Sequence, residues 1–252
     1  NTQANANAGI ATVAGGLLSS PYTNTTVNSQ TIYARVQDNT TGCYNTVAVT
    51  LVVNPLPIAN AVTLKVCDDN TDGFAAFPLT DAQNPAAPAN AAGSATDVDN
   101  GSTNVTVTYY NTQANANAGI ATVAGGLLSS PYTNTTVNNQ TVYARVQDNT
   151  TGCYRTAAIT LRVNTLPLAN NITLALCDNG SGNATFTLTD AQNPMASSNL
   201  GDGDATLNEL LQDDVDNGSI LVTVSYYNTQ ANANAGIATI AGGLLTGTYT
   251  FI

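Results

Sequence analysis

The sequence predicts an all-β protein built from tandem antiparallel β-sandwich domains of about 110 residues, with short helical insertions. Three observations support this fold class: a long internal repeat, alternating apolar and polar residues, and turn signals between the alternating runs. The string NTQANANAGIAT begins at Asn1, Asn111 and Asn228, and residues 1–54 match residues 111–164 at 48 of 54 positions. A period near 110 residues exceeds that of solenoids and propellers and equals one β-sandwich domain.

Proline-containing linkers mark the expected domain boundaries, because proline cannot join a central strand ladder. The linkers lie at Asn54–Pro57 and Asn164–Pro167, each directly after a strand-like run. Residues 1–55 then form the C-terminal half of one repeat, residues 56–165 a complete repeat, and residues 166–252 a truncated repeat with an insertion near 197–214. We therefore expect the chain to be part of a much longer polypeptide.

Period-two alternation predicts the strands of the complete repeat and the residues that face its core. The predicted inward positions are Val62, Leu64 and Val66; Val105, Val107 and Tyr109; Val142, Ala144 and Val146; and Ala157, Ile159, Leu161 and Val163. The differences between the copies agree with these inward and outward positions. Ile32 and Val49 change to other aliphatic residues at inward positions of the second copy, whereas Val52 changes to Arg162 at an outward position.

Turn signals and short helical segments separate the predicted strands. The turn signals are Asp72-Gly73, Asn100-Gly101 and Asn149-Thr150-Thr151-Gly152. Leu79–Asn84 ends at a proline and Thr112–Ala118 ends at a glycine, so both are predicted to be helical. The inserted segment Asp204–Asp213 is a third helical candidate, with Asp204 as its N-cap.

Composition and charge exclude several classes of function. The chain has 16 acidic and 5 basic residues and a net charge of −11, so it is predicted to repel nucleic acid and anionic membranes. Histidine is absent, which excludes a Ser/His/Asp triad and a histidine-ligated zinc site within these residues. No apolar run reaches the roughly 20 residues that span a bilayer, so membrane insertion is not expected. Glu209 is the sole glutamate and the copies are nearly identical, so we expect no enzyme.

Four cysteines recur at a spacing of 110 residues: Cys43 with Cys153, and Cys67 with Cys177. Without histidine or further thiols, a disulfide is favoured over metal binding. The natural pairing joins Cys67 to Cys153 within the complete repeat, while Cys43 and Cys177 pair outside the chain. In an in-line sandwich, however, these two cysteines would lie roughly 25–30 Å apart. Pairing between chains, or reduced thiols, therefore stay open.

Two groups of acidic residues are candidate calcium sites. Asp68, Asn70 and Asp72 precede Gly73 in the pattern D-x-N-x-D-G, which begins a calcium-binding loop. The downstream glutamate of that loop is missing, and the third copy has lost most of the ligands, so an acidic hairpin turn is the alternative. The pair Asp97/Asp99, repeated as Asp214/Asp216, is a weaker candidate. Calcium is the only cofactor that the sequence suggests.

Four segments of the sequence are distinctive: VCDDNTDGFAAFPLTDAQ, VTVTYYNTQANANAG, QTVYARVQDNTTGCY and ITLRVN-x-LP. Together they resemble the Ig-like repeats of giant cell-surface proteins of the Bacteroidota. These giant proteins include gliding-motility-type adhesins and filamentous proteins exported by the type IX secretion system. The resemblance extends over essentially the whole chain and implies an extracellular, non-enzymatic role at the bacterial cell surface.

Two functional hypotheses follow from the repeats and from this resemblance. The first is a structural segment of a stalk or filament for adhesion, whose partners are neighbouring repeats and other copies of the chain. The second is a recognition module that binds glycans on a target cell, with help from calcium or from the tyrosine pair Tyr109-Tyr110. Retention of loop residues in every copy would favour the second hypothesis, but the acidic loop differs between copies.

Overall fold

The computed structural model describes residues 2–9, 17–90, 97–119, 126–178, 180–199, 214–236, 244–245 and 248–250. The chain divides into two compact units, Asn1–Asn164 and Thr165–Ile252. The predicted helix at Asp204–Asp213 lies outside the described residues. The described parts are mostly β-sheet with a few short helices, which agrees with an all-β, sandwich-like fold.

The first unit contains two helices and nine strands among its described residues. They are α1 (Gln3–Ala8), β1 (Ser29–Gln37), β2 (Tyr44–Val52), β3 (Val62–Cys67), β4 (Ala76–Phe77), β5 (Val105–Tyr110), α2 (Gln113–Ala118), β6 (Leu127–Leu128), β7 (Tyr132–Thr133), β8 (Asn139–Asp148) and β9 (Tyr154–Asn164). A 3-10 helix covers Leu79–Gln83, within the predicted helical segment.

A five-stranded sheet with the order β3-β9-β8-β5-β6 forms the centre of the complete repeat. The short pair β4-β7 and the 3-10 helix supply the opposite layer, because Phe77 and Leu79 pack in the same buried cluster as the sheet residues. The predicted inward positions of β8 and β9 are confirmed. Val142, Val146, Ile159 and Leu161 are all fully buried, and Arg162 points to solvent.

Two details of the predicted sheet are wrong. The sheet is not purely antiparallel, because β3 and β9 pair in parallel, with Val62 opposite Ile159 and Cys67 opposite Asn164. A long connection through the rest of the domain separates these strands, so both can run toward the same end of the sheet. In addition, Tyr110 is buried rather than outward.

Helix α2 is too short to be stable alone, and Arg145 fastens it to the sheet. The Thr112 side chain caps the helix by accepting the Asn115 N–H at 3.2 Å, and Gly119 ends it in a left-handed conformation. The Arg145 Nη1 atom donates to the carbonyl oxygens of Ala116 and Asn117, both at 3.0 Å. A cation near the C-terminus complements the helix dipole. The guanidinium also lies 3.3 Å from the centre of the Tyr154 ring.

The hairpin β1–β2 repeats this local structure in the first copy. Its strands pair antiparallel from Ser29↔Val52 to Gln37↔Tyr44. Arg35 donates to the carbonyl oxygens of Ala6 and Asn7 at 3.1 and 2.7 Å, as Arg145 does for α2. The hairpin with its helix is therefore a local unit that folds in the same way in both copies.

The second unit contains counterparts of most elements of the complete repeat. They are β10 (Thr185–Thr187), a 3-10 helix at Leu188–Gln192, β11 (Tyr226–Tyr227), α3 (Gln230–Ala235), β12 (Leu244–Leu245) and β13 (Thr248–Thr250). Strand β10 pairs with β13, and β11 pairs with β12, as β4 pairs with β7 and β5 with β6.

Candidate functional site at the two ends of the repeat

Cys67 lies at the end of the sheet where the chain leaves the repeat. It is the last residue of β3 and stands opposite Asn164, the last residue of β9. The Asp68 N–H donates to the Asn164 carbonyl oxygen at 2.8 Å, which joins the two strand ends. The thiol of Cys67 is exposed and unpaired. The last residue of β9 therefore lies beside Cys67.

Cys153 lies at the opposite end, directly after the turn between β8 and β9. The Asp148 Oδ1 atom accepts the N–H groups of Thr150 and Thr151 at 2.9 and 2.7 Å. The Thr151 backbone N–H and hydroxyl hold the pKa of Asp148 below its usual value. The Cys153 carbonyl oxygen accepts the Asp148 N–H at 2.9 Å, and its half-buried thiol is unpaired. The hydrogen bonds of this turn therefore hold the backbone of Cys153 in a defined position.

The predicted disulfide between Cys67 and Cys153 does not fit this geometry. Cys67 is in register with Asn164, which follows Cys153 by 11 residues along a continuous strand. At about 3.3 Å per residue the separation is about 36 Å. A disulfide requires Cα atoms within about 7 Å. Parallel pairing of β3 with β9, which the sequence did not reveal, is the physical reason for this correction.

The other two cysteines occupy the corresponding places in their copies. Cys43 follows the turn after β1, where Asp38 accepts the N–H groups of Thr40 and Thr41 at 2.7 and 2.9 Å. Cys177 is the last residue of the segment equivalent to β3. Both thiols are exposed and unpaired. Each copy therefore offers one cysteine at the end of its first strand, one at the turn before its last strand, or both.

The acidic loop after Cys67 is organised by backbone hydrogen bonds to Asp68. The buried carboxylate accepts N–H groups from Thr71 at 2.9 Å and from Gly73 at 2.8 Å, one on each oxygen. Burial raises the pKa of Asp68, but the backbone N–H groups outweigh burial and leave that pKa below its usual value. Asp68 thus closes a turn, which is a sufficient structural role for it.

The structure brings together a slightly different set of loop oxygens from the predicted one. Carboxylate oxygens of Asp68, Asp69 and Asp72 lie within 4.8 Å of one another. The amide of Asn70 donates to Asp72 at 3.0 Å. In the third copy, Asp178 accepts the N–H groups of Gly180 and Gly182 at 2.8 and 2.9 Å. The turn-closing aspartate is therefore common to both copies, while the additional acidic residues are not.

Asp97 and Asp99 lie together in a second turn. Both are buried, and Asp97 accepts the Gly101 N–H at 2.9 Å. Burial, followed by the nearby Asp97 carboxylate, raises the pKa of Asp99. Asp214 accepts the Gly218 N–H at 2.8 Å in the third copy. The first aspartate of this second pair therefore closes a turn in both copies.

The tyrosine pair of the complete repeat is not an open platform for a sugar ring. Tyr109 and Tyr110 are both buried. The Tyr109 hydroxyl accepts the Gln83 amide at 3.0 Å, and burial raises its pKa to about 12. Stacking on a sugar needs an exposed ring face.

Asn134 is a structural residue that the sequence analysis missed. Its side chain is buried and accepts the Ala75 N–H at 2.7 Å. It donates to the carbonyl oxygens of Gly73 and Thr136 at 2.9 and 2.8 Å. Asn134 therefore joins the acidic loop to the segment before β8 and steadies the end that carries Cys67. In the sequence it is one asparagine among many, so no signal marks it.

None of the helices in the described part of the chain is long and apolar enough to cross a membrane.

The sequence model of one protein family, the Flavobacterium inter-domain disulphide bond domain, matches residues 1–57 and 63–167. The two matches correspond to the first copy and to the complete repeat, and together they cover more than half of the chain. No curated protein matches the chain.

Proposed function

Because the chain belongs to the Flavobacterium inter-domain disulphide bond domain family, we propose that it is a load-bearing segment of an extracellular tether whose successive Ig-like domains are joined by disulfides. The position of the cysteines at opposite ends of the sheet is the observation that carries this proposal. Disulfides persist in oxidising compartments, which supports a location outside the cytoplasm. The likeness to giant type IX-secreted surface proteins of the Bacteroidota supports a stalk or filament that serves adhesion.

In an in-line array, one pairing of these cysteines is geometrically reasonable. The chain leaves β9 beside Cys67, so in such an array the start of the next domain would face that thiol. In the next domain, the counterpart of Cys153 lies at the opposite end from the counterpart of Cys67. The bond therefore joins the Cys67 position of one domain to the Cys153 position of the domain that follows. Cys153 of the complete repeat would bond to the Cys67 position of the domain before it.

This pairing creates a covalent path that bypasses the core of every domain. From a Cys153 position the path follows β9 to the linker, and then the first strand of the next domain to its Cys67 position. At that residue the disulfide continues the covalent path to the Cys153 position of the following domain. Two such paths run through the array, offset by one domain. Each domain is therefore crossed by two extended strands, β3 and β9, which lie side by side in parallel register. Pulling on the array stretches strands that are already extended, so the core between Cys67 and Cys153 carries no load.

The chain length of this path fits the length of the domains. Cys177 follows Cys153 by 24 residues, and this stretch crosses two successive domains. At about 3.3 Å per residue it extends to about 80 Å. Two domains, each about as long as the 11 residues of β9, span about 72 Å. The path therefore has little slack, as expected of a tether that must not lengthen under force.

The second candidate, a recognition module for glycans, is less well supported. The buried tyrosine pair and the turn-closing roles of Asp68 and Asp97 give these residues structural tasks. The loops that differ between copies are those nearest the acidic positions.

Force spectroscopy on a chain of four consecutive copies of residues 56–165 tests the proposed function. An even number of copies is needed so that one uninterrupted path joins the two termini. Under reducing conditions, each domain should unfold with an extension of roughly 350 Å, because about 110 residues are released. Under oxidising conditions, we expect no unfolding steps before the chain detaches.

Replacing Cys67 with serine in all four copies is the matched control. This variant should unfold stepwise under both conditions, because it retains the domains but loses every inter-domain bond. Full-length unfolding steps in the oxidised parent chain would contradict the proposal.

A further inference from the structure

The turn that Asp97 closes contains a chemically labile dipeptide. Asn100 and Gly101 have φ angles of +54° and +67°, and their counterparts Asn217 and Gly218 have φ angles of +52° and +67°. Two successive residues in this conformation favour Asn-Gly, because asparagine tolerates it and glycine adopts it without strain. The same dipeptide is prone to deamidation, since glycine has no side chain to hinder attack by its own backbone nitrogen. Both asparagines are exposed, so water reaches their amides.

Deamidation replaces the asparagine amide and consumes only water. The backbone nitrogen of the glycine loses its proton and bonds to the side-chain amide carbon, while the C–N bond of the amide breaks and ammonia leaves. The succinimide ring so formed then adds water and opens at one of two C–N bonds, which gives aspartate or isoaspartate. Isoaspartate carries its former side-chain methylene in the backbone, so the turn becomes longer.

A carboxylate holds the glycine N–H that must lose its proton. The Gly101 N–H donates to the Asp97 Oδ1 atom at 2.9 Å, and the Gly218 N–H donates to the Asp214 Oδ1 atom at 2.8 Å. Such hydrogen bonds to an ionised acceptor are stronger than neutral ones. Loss of the proton would leave a negative nitrogen beside a negative oxygen, which like-charge repulsion disfavours.

The third Asn-Gly dipeptide of the sequence, at residues 179–180, has the same feature. The Gly180 N–H donates to the Asp178 Oδ1 atom at 2.8 Å. This carboxylate lies two residues before the glycine instead of four, so the hydrogen bond is not a property of one turn type. At all three dipeptides the glycine N–H is therefore held by an aspartate.

The two turns are also joined to the linkers, so a longer turn would have consequences outside itself. Asp97 is 7% exposed and Asp214 is 2% exposed, which places both carboxylates inside the domain. Asn60, shortly after the first linker, donates its side-chain amide to the Asp97 carbonyl oxygen at 3.0 Å. Asn170 makes the same hydrogen bond to Asp214 at 3.0 Å.

We propose that the carboxylates of Asp97 and Asp214 protect Asn100 and Asn217 from deamidation. Each carboxylate keeps the proton on the glycine nitrogen and fixes that nitrogen in the turn. One hydrogen bond thus closes the turn and also preserves the asparagine that the turn requires.

The test follows the 252-residue chain at pH 8 and 37 °C by peptide mass spectrometry that separates asparagine, aspartate and isoaspartate. Asp97→Ala should raise the rate of deamidation at Asn100 by roughly 10-fold or more, because hydrogen bonds to charged groups have that strength. Asn217 retains Asp214 in the same molecules, so its rate should not change. Asp97→Asn should give a smaller rise, since its amide oxygen still accepts the N–H but carries no charge.

Gly73→Ala is the control that separates protection from loss of stability. It strains the loop after Cys67 and leaves the hydrogen bond between Gly101 and Asp97 in place. Deamidation at Asn100 should therefore be as slow in this variant as in the parent chain. Equal rates at Asn100 in the parent and Asp97→Ala chains, or an equal rise in the Gly73→Ala chain, would overturn the proposal.

Discussion

Replacing Gly73 with alanine in residues 56–165 is expected to lower the free energy of unfolding by about 3 kcal/mol. Gly73 has a φ of +78°, a backbone conformation that alanine adopts only with strain. Its new Cβ would lie 2.6 Å from Val137 Cγ1 and 2.7 Å from Asn138 Oδ1. The loop would have to shift, and this shift would weaken the hydrogen bond from the N–H of residue 73 to Asp68. Urea unfolding followed by circular dichroism measures the loss.

Gly152→Ala is the matched control for this substitution. Gly152 has a similar φ of +71°, but the nearest atom to an added Cβ is 4.0 Å away. This variant should lose only about 1 kcal/mol, the cost of the backbone conformation alone. If both variants lose the same free energy of unfolding, close packing of the loop against the segment before β8 does not determine which side chain fits at position 73.

Replacing Asn134 with alanine is expected to lower the free energy of unfolding by about 2–4 kcal/mol. The substitution removes three hydrogen bonds and leaves the Ala75 N–H without its acceptor. A buried polar group without a partner costs more than the net gain of an ordinary hydrogen bond. The measurement is the unfolding midpoint of the complete repeat within residues 1–165.

The same chain supplies the control for Asn134. Asn24 occupies the corresponding place in the first copy, and its amide donates to the Thr26 carbonyl oxygen at 2.7 Å. Within the part of the chain that the structure describes, Asn24 makes no hydrogen bond to a loop like that of Gly73. Asn24→Ala should therefore leave the unfolding midpoint of the complete repeat unchanged. A large shift in this variant would mean that the asparagine acts through its own turn and not through the loop.

The faces of the strands could be predicted from the sequence, because side-chain alternation depends only on local geometry. Positions such as Leu64 and Ile159 are buried as the period-two pattern requires. The helix at Gln113–Ala118 was also predictable, because Thr112 caps its start and Gly119 ends it. What joins this helix to the sheet, the hydrogen bonds from Arg145 of β8 to the carbonyl oxygens of Ala116 and Asn117, depends on a residue from a distant strand and leaves no local signal.

Strand direction and pairing could not be predicted in the same way. Alternation is identical for parallel and antiparallel strands, so the sequence did not reveal that β3 runs beside β9 in the same direction. For this reason the sequence also did not exclude the predicted disulfide between Cys67 and Cys153, which the structure places at opposite ends of the sheet. Local pattern determines which face a residue occupies, whereas pairing depends on what the rest of the chain places beside it.

Directed disulfide formation in a chain of two copies of residues 56–165 is the most direct test of the proposed inter-domain bond. In one version, only Cys67 of the first copy and Cys153 of the second remain, and the other cysteines are serine. In the other version, only Cys153 of the first copy and Cys67 of the second remain. After mild oxidation, mass spectrometry of non-reduced peptides should find an intramolecular disulfide in the first version and two free thiols in the second. A bond in the second version, or two free thiols in the first, would contradict the inter-domain pairing and the load path that depends on it.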